Sequence, residues 1–420
     1  MPHITNHLLL LFLLFSTPTF AQNTYERVLP AKCETFGVGI CPGPGEDLLV
    51  TVRNRGCHRR RIRRDSGDVS LENNLYVLQV DASGTPQQVH RLPGQSGTDL
   101  QRCADGGYIF ASYATRLRPS NYRGDKTAQL VVVRTGPDLQ VRWQHLLKSD
   151  YNSTPVNITE CRDGGFLFLA TSEIPGNLPN AMSGITRSVH PRLIKLDAEG
   201  HLVWENTNDS LIDYLPTHTI QNADGGFMTT AVRKFKSSRT MGMMILKHDA
   251  KGRFLWEMNI SDEKHEDELN YKMADQIIEL DNGDVLVAGR CRTYFPSLVD
   301  HQRILRISAK GKILWDHLFP GESIGQPRMA LQGSENVILM GPADHKERKH
   351  GPEGNPSFLQ VTALNLDGEL LWQKEYAEND FPESGDLYVD EAGGIHWVGA
   401  VRPFEKQSWN AYGNGRYRIE

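Results

Sequence analysis

One short pattern constrains this chain more than any other: Asp-x-x-Gly-x-x-x-Trp, embedded in alternating apolar and polar residues. Pro191–Thr207 reads PRLIKLDAEGHLVWENT, with the turn at Asp197-Ala-Glu-Gly200 and the ring at Trp204. Alternation, a turn whose Gly tolerates φ > 0, and renewed alternation describe a β-hairpin. The unit recurs at Met244–Glu257 (MILKHDAKGRFLWE), Ile304–Asp316 (ILRISAKGKILWD) and Val361–Gln373 (VTALNLDGELLWQ). Two weaker copies precede these. Tyr76–Val89 carries Gln88 where Trp is expected, and Val131–Gln144 carries Leu139 where Gly is expected.

A second signal alternates with the hairpins. Asp105-Gly-Gly107 precedes YIFASYA, Asp163-Gly-Gly165 precedes FLFLAT, Asp224-Gly-Gly226 precedes FMTTAV, and Asp281-Asn-Gly-Asp284 precedes VLVAG. Degenerate copies precede LLVTV, VILMG and IHWVG, which makes seven. Each is a tight turn entering a strand apolar on most positions, as strands buried on both faces are. The unit is therefore strand, tight turn, strand, long loop, strand, hairpin turn, strand.

Four antiparallel strands at a fixed period are the sequence signature of a β-propeller. The reading is all-β: a single propeller of seven four-stranded blades at about 31–92, 96–147, 156–208, 217–261, 272–318, 327–376 and 384–420. The last unit lacks a hairpin with Trp. Thr24–Val28 is the expected source of its missing strand, so that the N- and C-terminal segments share the last blade. Closing the ring this way removes the open sheet edge. The Trp positions read as structural rings packed between blades. The hairpin turns lack the spaced oxygen ligands of a calcium loop, and no metal is assigned to them.

These alternating motifs resemble the pyrroloquinoline-quinone-like propeller repeats of exported bacterial proteins, over nearly all of the chain past its N-terminal segment. The resemblance implies the fold. In quinoprotein dehydrogenases of that group the docking motif carries Thr before the Gly. Here Glu199, Lys251, Lys310 and Asp367 stand at those positions, and there is neither an adjacent Cys pair nor a Cys-x-x-Cys-His site. The reading therefore assigns no cofactor.

The 420-residue chain carries a net charge of only −5, so bulk charge names no partner. Its N-terminus is apolar from Leu8 to Phe15 and reaches a small-residue cleavage site at Ala21, before Gln22. That reads as a secretory signal over residues 1–21 followed by the propeller over 22–420, secreted or periplasmic, with no span of a membrane. Six Cys follow. An even count in an oxidising compartment favours disulfides: one among Cys33, Cys41 and Cys57, with Cys103 and Cys161 either facing each other or standing as buried thiols.

The candidate site lies on the face of the long loops. An Arg stands just past the second strand in five units: Arg53, Arg116, Arg233, Arg290 and Arg402. These are expected to ring the mouth of the central channel, with Tyr122 among the nearby aromatics. Arg pairs bidentately with carboxylate, sulfate or phosphate, and a basic face on an acidic protein focuses anions. The expected partner is a protein or an anionic polysaccharide, without catalysis; the exported address argues against nucleic acid. The alternative is a propeller enzyme, either a quinone-dependent dehydrogenase or a polysaccharide lyase or hydrolase, working at the channel mouth. The loops hold His58, His190, His218, His301 and His345, and the carboxylates Asp99, Glu160 and Asp275 precede or lie in the expected innermost strands.

Overall fold

The structure, a computed structural model, describes residues 8–14, 24–30, 34–55, 75–81, 84–93, 98, 100–117, 126–147, 152–175, 187–207, 214–234, 241–260, 269–293, 299–320, 326–344 and 357–403. All of the secondary structure among these residues is strand. β1 (Leu8–Leu14) and β2 (Thr24–Pro30) come first. Blade 1 is β3 (Glu34–Pro42), β4 (Leu48–Arg55), β5 (Leu75–Val80) and β6 (Pro86–Leu92). Blade 2 is β7 (Gln101–Arg102), β8 (Tyr108–Leu117), β9 (Lys126–Thr135) and β10 (Val141–Leu147). Blade 3 is β11 (Asn152–Glu160), β12 (Phe166–Pro175), β13 (Arg187–Leu196) and β14 (Leu202–Thr207). Blade 4 is β15 (Tyr214–Gln221), β16 (Phe227–Lys234), β17 (Met241–His248) and β18 (Phe254–Asn259). Blade 5 is β19 (Leu269–Glu279), β20 (Val285–Thr293), β21 (Val299–Ile307) and β22 (Ile313–Pro320). Blade 6 is β23 (Arg328–Gln332), β24 (Asn336–Asp344), β25 (Ser357–Asn365) and the first part of β26 (Leu370–Val389).

Six four-stranded blades are thus built from consecutive antiparallel strands, and the chain is a β-propeller. The ring is completed by strands from both ends of the chain. The second part of β26 leaves blade 6 and pairs with β27 (Ile395–Pro403). β27 pairs with β1, and β1 with β2. Thr24–Pro30 joins this last sheet as expected, but as its outer edge: Leu8–Leu14, the apolar core of the expected leader, lies between it and β27.

No single core holds the ring. Apolar clusters sit at the interfaces between neighbouring blades. Phe110 and Tyr108 of blade 2 pack with Leu49 and Val77 of blade 1. Phe166 and Phe168 pack with Ile109 and Val132. At the seam where the ring closes, Val398 of β27 joins Ile40, Leu48 and Val50 of blade 1. Strands buried on both faces supply these clusters, which is why their sequences run nearly continuously apolar.

The turn motifs are more than turns. In blades 2, 3 and 4 the turn Asp accepts a hydrogen bond from the second Gly amide two residues on. The same carboxylate ion-pairs with a buried cation of the third strand: Arg134 with Asp105, Lys195 with Asp163 (2.9 Å), Lys247 with Asp224 (2.7 Å). The cation lies over the second Gly, where a Cβ at Gly107 or Gly165 would collide with Arg134 Nη1 or Lys195 Nζ. In blade 5 the acid moves to the last turn position, so Asp284 takes Arg306 at 2.7 Å while Asn282 shapes the turn.

The hairpin Gly and the Trp of the repeat cooperate across blades. Gly200 is at φ +84°, and a Cβ there would meet the Trp143 ring of the preceding blade at 2.8 Å. Gly252 stands in the same relation to Trp204, and Gly368 to Trp315. Trp256 departs from the expected inter-blade role: it is 39% exposed, and at Gly311, in the hairpin turn of the next blade, a Cβ would meet nothing within 4 Å.

The thiols also differ from one of the two arrangements expected. Cys41, Cys103, Cys161 and Cys291 are buried thiols, so no bridge joins Cys103 to Cys161 or passes through Cys41. Burial pushes the Cys103 thiol up to about 12 and that of Cys161 to about 11. Cys33 and Cys57 lie outside the described residues.

Candidate functional site

The first strand of each blade lines the centre. β11 packs on β15, β15 on β19, β19 on β23, β23 on β26, and β26 on β3. These strands share a defect. The pairing with the second strand slips by a residue between Gly37 and Gly39, Pro155 and Asn157, Pro216 and His218, and Ala274 and Gln276, and again between Glu383 and Asp386. A β-bulge bends its strand and re-aims side chains, and bulges concentrate beside functional sites. The residue that resumes pairing is Gly39, Asn157, His218, Gln276 or Asp386. Each of these five stands nine residues before the start of its second strand, as 157 does before Phe166 and 386 before Ile395. Arg328, which starts β23 and lies nine residues before Val337, has the equivalent register.

Some of these residues latch neighbouring blades. Asn157 Oδ1 accepts from the Thr219 amide at 3.2 Å, and Gln276 Oε1 from the Met329 amide at 2.7 Å. Asp386 Oδ2 accepts from the Ile40 amide at 3.1 Å, which ties the last sheet to blade 1. Farther along the strands, Glu160 accepts from the Ala104 amide at 2.7 Å, so this carboxylate serves the blade 2 turn.

The remaining residues form a charged cluster drawn from blades 4, 5 and 6 and the last sheet. Asp275, the bulge residue of β19, is buried and takes two hydrogen bonds from Arg290 of β20, Nε to Oδ2 at 2.9 Å and Nη2 to Oδ1 at 3.0 Å. Arg328 Nε donates to the Gly385 carbonyl at 3.0 Å and lies 3.8 Å from Asp386 Oδ1. Arg328 acts electrostatically on His218, Asp275 and Asp386 together, so it is the hub of the cluster.

Burial dominates the protonation of this group. It raises the Asp275 carboxyl above the usual carboxylate range, against the opposing pull of Arg290 and Arg328. It raises Asp386 likewise, with Arg328 and the Ile40 amide opposing. It lowers His218 to about 3, helped by Arg328, so the imidazole is neutral at physiological pH. Its Nδ1 has no hydrogen-bond partner among the described residues. Arg328 and Asp386 keep 21% and 20% of their side-chain surface exposed, so a small solute can touch both.

The expected site residues fall in different places. Arg290 lies in this cluster. Arg233 instead turns to the blade face, ion-paired with Glu257 at 3.2 Å and 5.1 Å over the Tyr214 ring. Arg53, Arg116 and Arg402 belong to the ends of β4, β8 and β27, with side chains outside the described residues. Tyr122 and Asp99 lie outside the described residues altogether. Sequence reasoning misses Arg328 and Asp386; the nine-residue offset is the signal that finds them.

Among the described residues, Asp197, Glu199 and His201 have spacing that suits a metal ion. Their contacts are those of the turn itself: Asp197 accepts from the His201 amide at 2.7 Å and lies 3.2 Å from its Nδ1.

No protein-family model and no curated protein matches the chain. Solved structures similar to it include a luciferin-regenerating enzyme, at 13% identity and TM-score 0.41 over 81% of this chain and 94% of that one. A calcium-binding regucalcin from Agrobacterium tumefaciens gives 13% and 0.38 over 81% and 92%. A Hadza microbial sialidase gives 10% and 0.42 over 95% and 90%. These neighbours are β-propeller proteins.

Proposed function

We propose that the protein is a non-catalytic binding propeller that receives an anionic group of a larger partner, an acidic glycan or an acidic protein surface, in its central channel. The observation that carries this reading is the convergence of Arg328 with Asp275, Asp386 and a neutral His218 on the innermost strands, where Arg290 reaches Asp275 from the second strand of blade 5. Guanidinium groups suit planar oxyanions, and a partly dehydrated cluster strengthens each charge pair. Arg53, Arg116 and Arg402, at the ends of β4, β8 and β27, remain part of the proposed basic face.

Export belongs to the same proposal, as does membership of the pyrroloquinoline-quinone-like repeat family. Cleavage after Ala21 would remove β1, the strand that lies between β2 and β27. A second reading, an enzyme at the channel, draws on two carboxyls held above their usual range beside a neutral imidazole. Such pairings supply general acids and bases.

The test is a thermal-shift panel of sulfated and uronic-acid glycans, neutral glycans, divalent metals and pyrroloquinoline quinone. Stabilisation by the anionic glycans alone, fading with salt and lost in Arg328→Ala, supports the binding reading. Stabilisation by quinone or a metal alone overturns it.

A further inference from the structure

The two acids of the channel are held differently. Asp275 has a two-pronged partner in Arg290, at 2.9 and 3.0 Å, which an anion arriving at Arg328 leaves in place. Asp386 has no such second cation: its ion pair among the described residues is the 3.8 Å approach to Arg328, and the Ile40 and Leu387 amides also favour its charged form. Its other oxygen, Oδ2, is committed to the Ile40 amide at 3.1 Å. Oδ1 is thus the oxygen that approaches Arg328.

An oxyanion that engages Arg328 therefore meets a carboxylate of the same sign at the same guanidinium. Two like charges sharing one cation in a partly buried site cannot both stay ionised at low cost. Loss of its cation is far costlier for a buried carboxylate than uptake of a proton. Among the described residues, the charged and titratable groups of this cluster are His218 from β15, Asp275 from β19, Arg290 from β20, Arg328 from β23 and Asp386 from β26.

We infer that the channel binds its anion together with a proton: a carboxylate or sulfate group takes the place of Asp386 at Arg328, and Asp386 Oδ1 becomes protonated while Oδ2 keeps the Ile40 amide. The proton comes from solvent, one per anion, and a new O–H bond on Oδ1 is the only bond made. Burial already biases Asp386 toward its neutral form before any ligand arrives. This inference rests on the channel being an anion site, and the experiment separates the two.

Titration calorimetry of the full protein with D-glucuronate, and separately with inorganic sulfate, is run in two buffers of unlike ionisation heat. The expected result is net proton uptake with each anion bound, and affinity that weakens as pH rises, by up to about tenfold per pH unit. Asp386→Asn, which keeps an acceptor for the Ile40 amide, is expected to bind with no proton uptake and a flat pH profile. His218→Asn is expected to retain the coupling. Binding without proton uptake, or coupling that survives Asp386→Asn or vanishes in His218→Asn, overturns the inference while leaving the anion site standing. Absence of binding by either anion, with melting curves showing folded protein, overturns the anion site and the inference together.

Discussion

The Trp204 ring lies on Gly252, the hairpin glycine of the next blade, where no side chain fits beneath it. The repeat unit that looks local in sequence is therefore half of an inter-blade joint, with Trp143, Trp204 and Trp315 each closing on the next unit's Gly. Trp256 lacks this joint. Trp204→Ala is expected to cost about 3 kcal/mol and Trp256→Ala only about 1 kcal/mol, since a ring left partly in water gives up less burial. Urea unfolding of the two variants checks this, and equal losses would show that the exposure difference has no energetic weight.

Gly252→Ala and Gly311→Ala separate backbone conformation from packing. Both positions have positive φ, +73° and +82°, so both substitutions incur the left-handed penalty. Only at Gly252 does the new methyl also meet an indole ring. Gly252→Ala is expected to lower the melting temperature clearly more than Gly311→Ala.

The turn clamps are asymmetric. Lys195 is nearly buried, at 6% side-chain exposure, while its partner Asp163 is 62% exposed. Removing Asp163 leaves a buried ammonium with the Leu196 carbonyl at 3.1 Å but no counter-charge, whereas removing Lys195 leaves a carboxylate that water can solvate. Asp163→Ala is expected to cost about 2 kcal/mol and Lys195→Met under about 1 kcal/mol. The reverse order in chemical denaturation would mean that Lys195 finds another partner.

The same clamps set an acid limit. Burial tends to raise the carboxyls of Asp105, Asp163, Asp224 and Asp284, but amide and cation hydrogen bonds outweigh it and hold them below the usual 3.8. A depressed native value means that the unfolded chain binds protons first as pH falls. The stabilisation is complete above roughly pH 5 and disappears as pH drops through the native values. Melting temperature between neutral pH and about pH 3 is expected to fall, and less steeply in Lys195→Met.

Much of this architecture is legible in the chain. Gly200, Gly252, Trp204 and the Asp-Gly-Gly turns mark strand order and blade boundaries because turn chemistry is local. Leu139, where Gly is expected, still takes φ 60°, since its side chain is buried between blades 1 and 2 and that burial outweighs the strain. The channel is less legible. Arg290 stands out as one basic residue among many, but its partner Asp275 is brought to it by a bulge that alternation does not encode. Arg328, His218 and Asp386 come together only when three strands far apart in the chain are bent into a ring.

The hydrogen bond from Ile40 to Asp386 spans 346 positions of sequence. Contacts so distant slow folding, because the intervening chain must be ordered before they reward it. During synthesis the blades can stack one upon another as an open arc, each covering its predecessor, but the arc stays exposed at both ends until Asp386 has emerged. A ribosome stalled before that residue would hold an assembled but unsealed crescent, the form of this protein most open to proteolysis and chaperones.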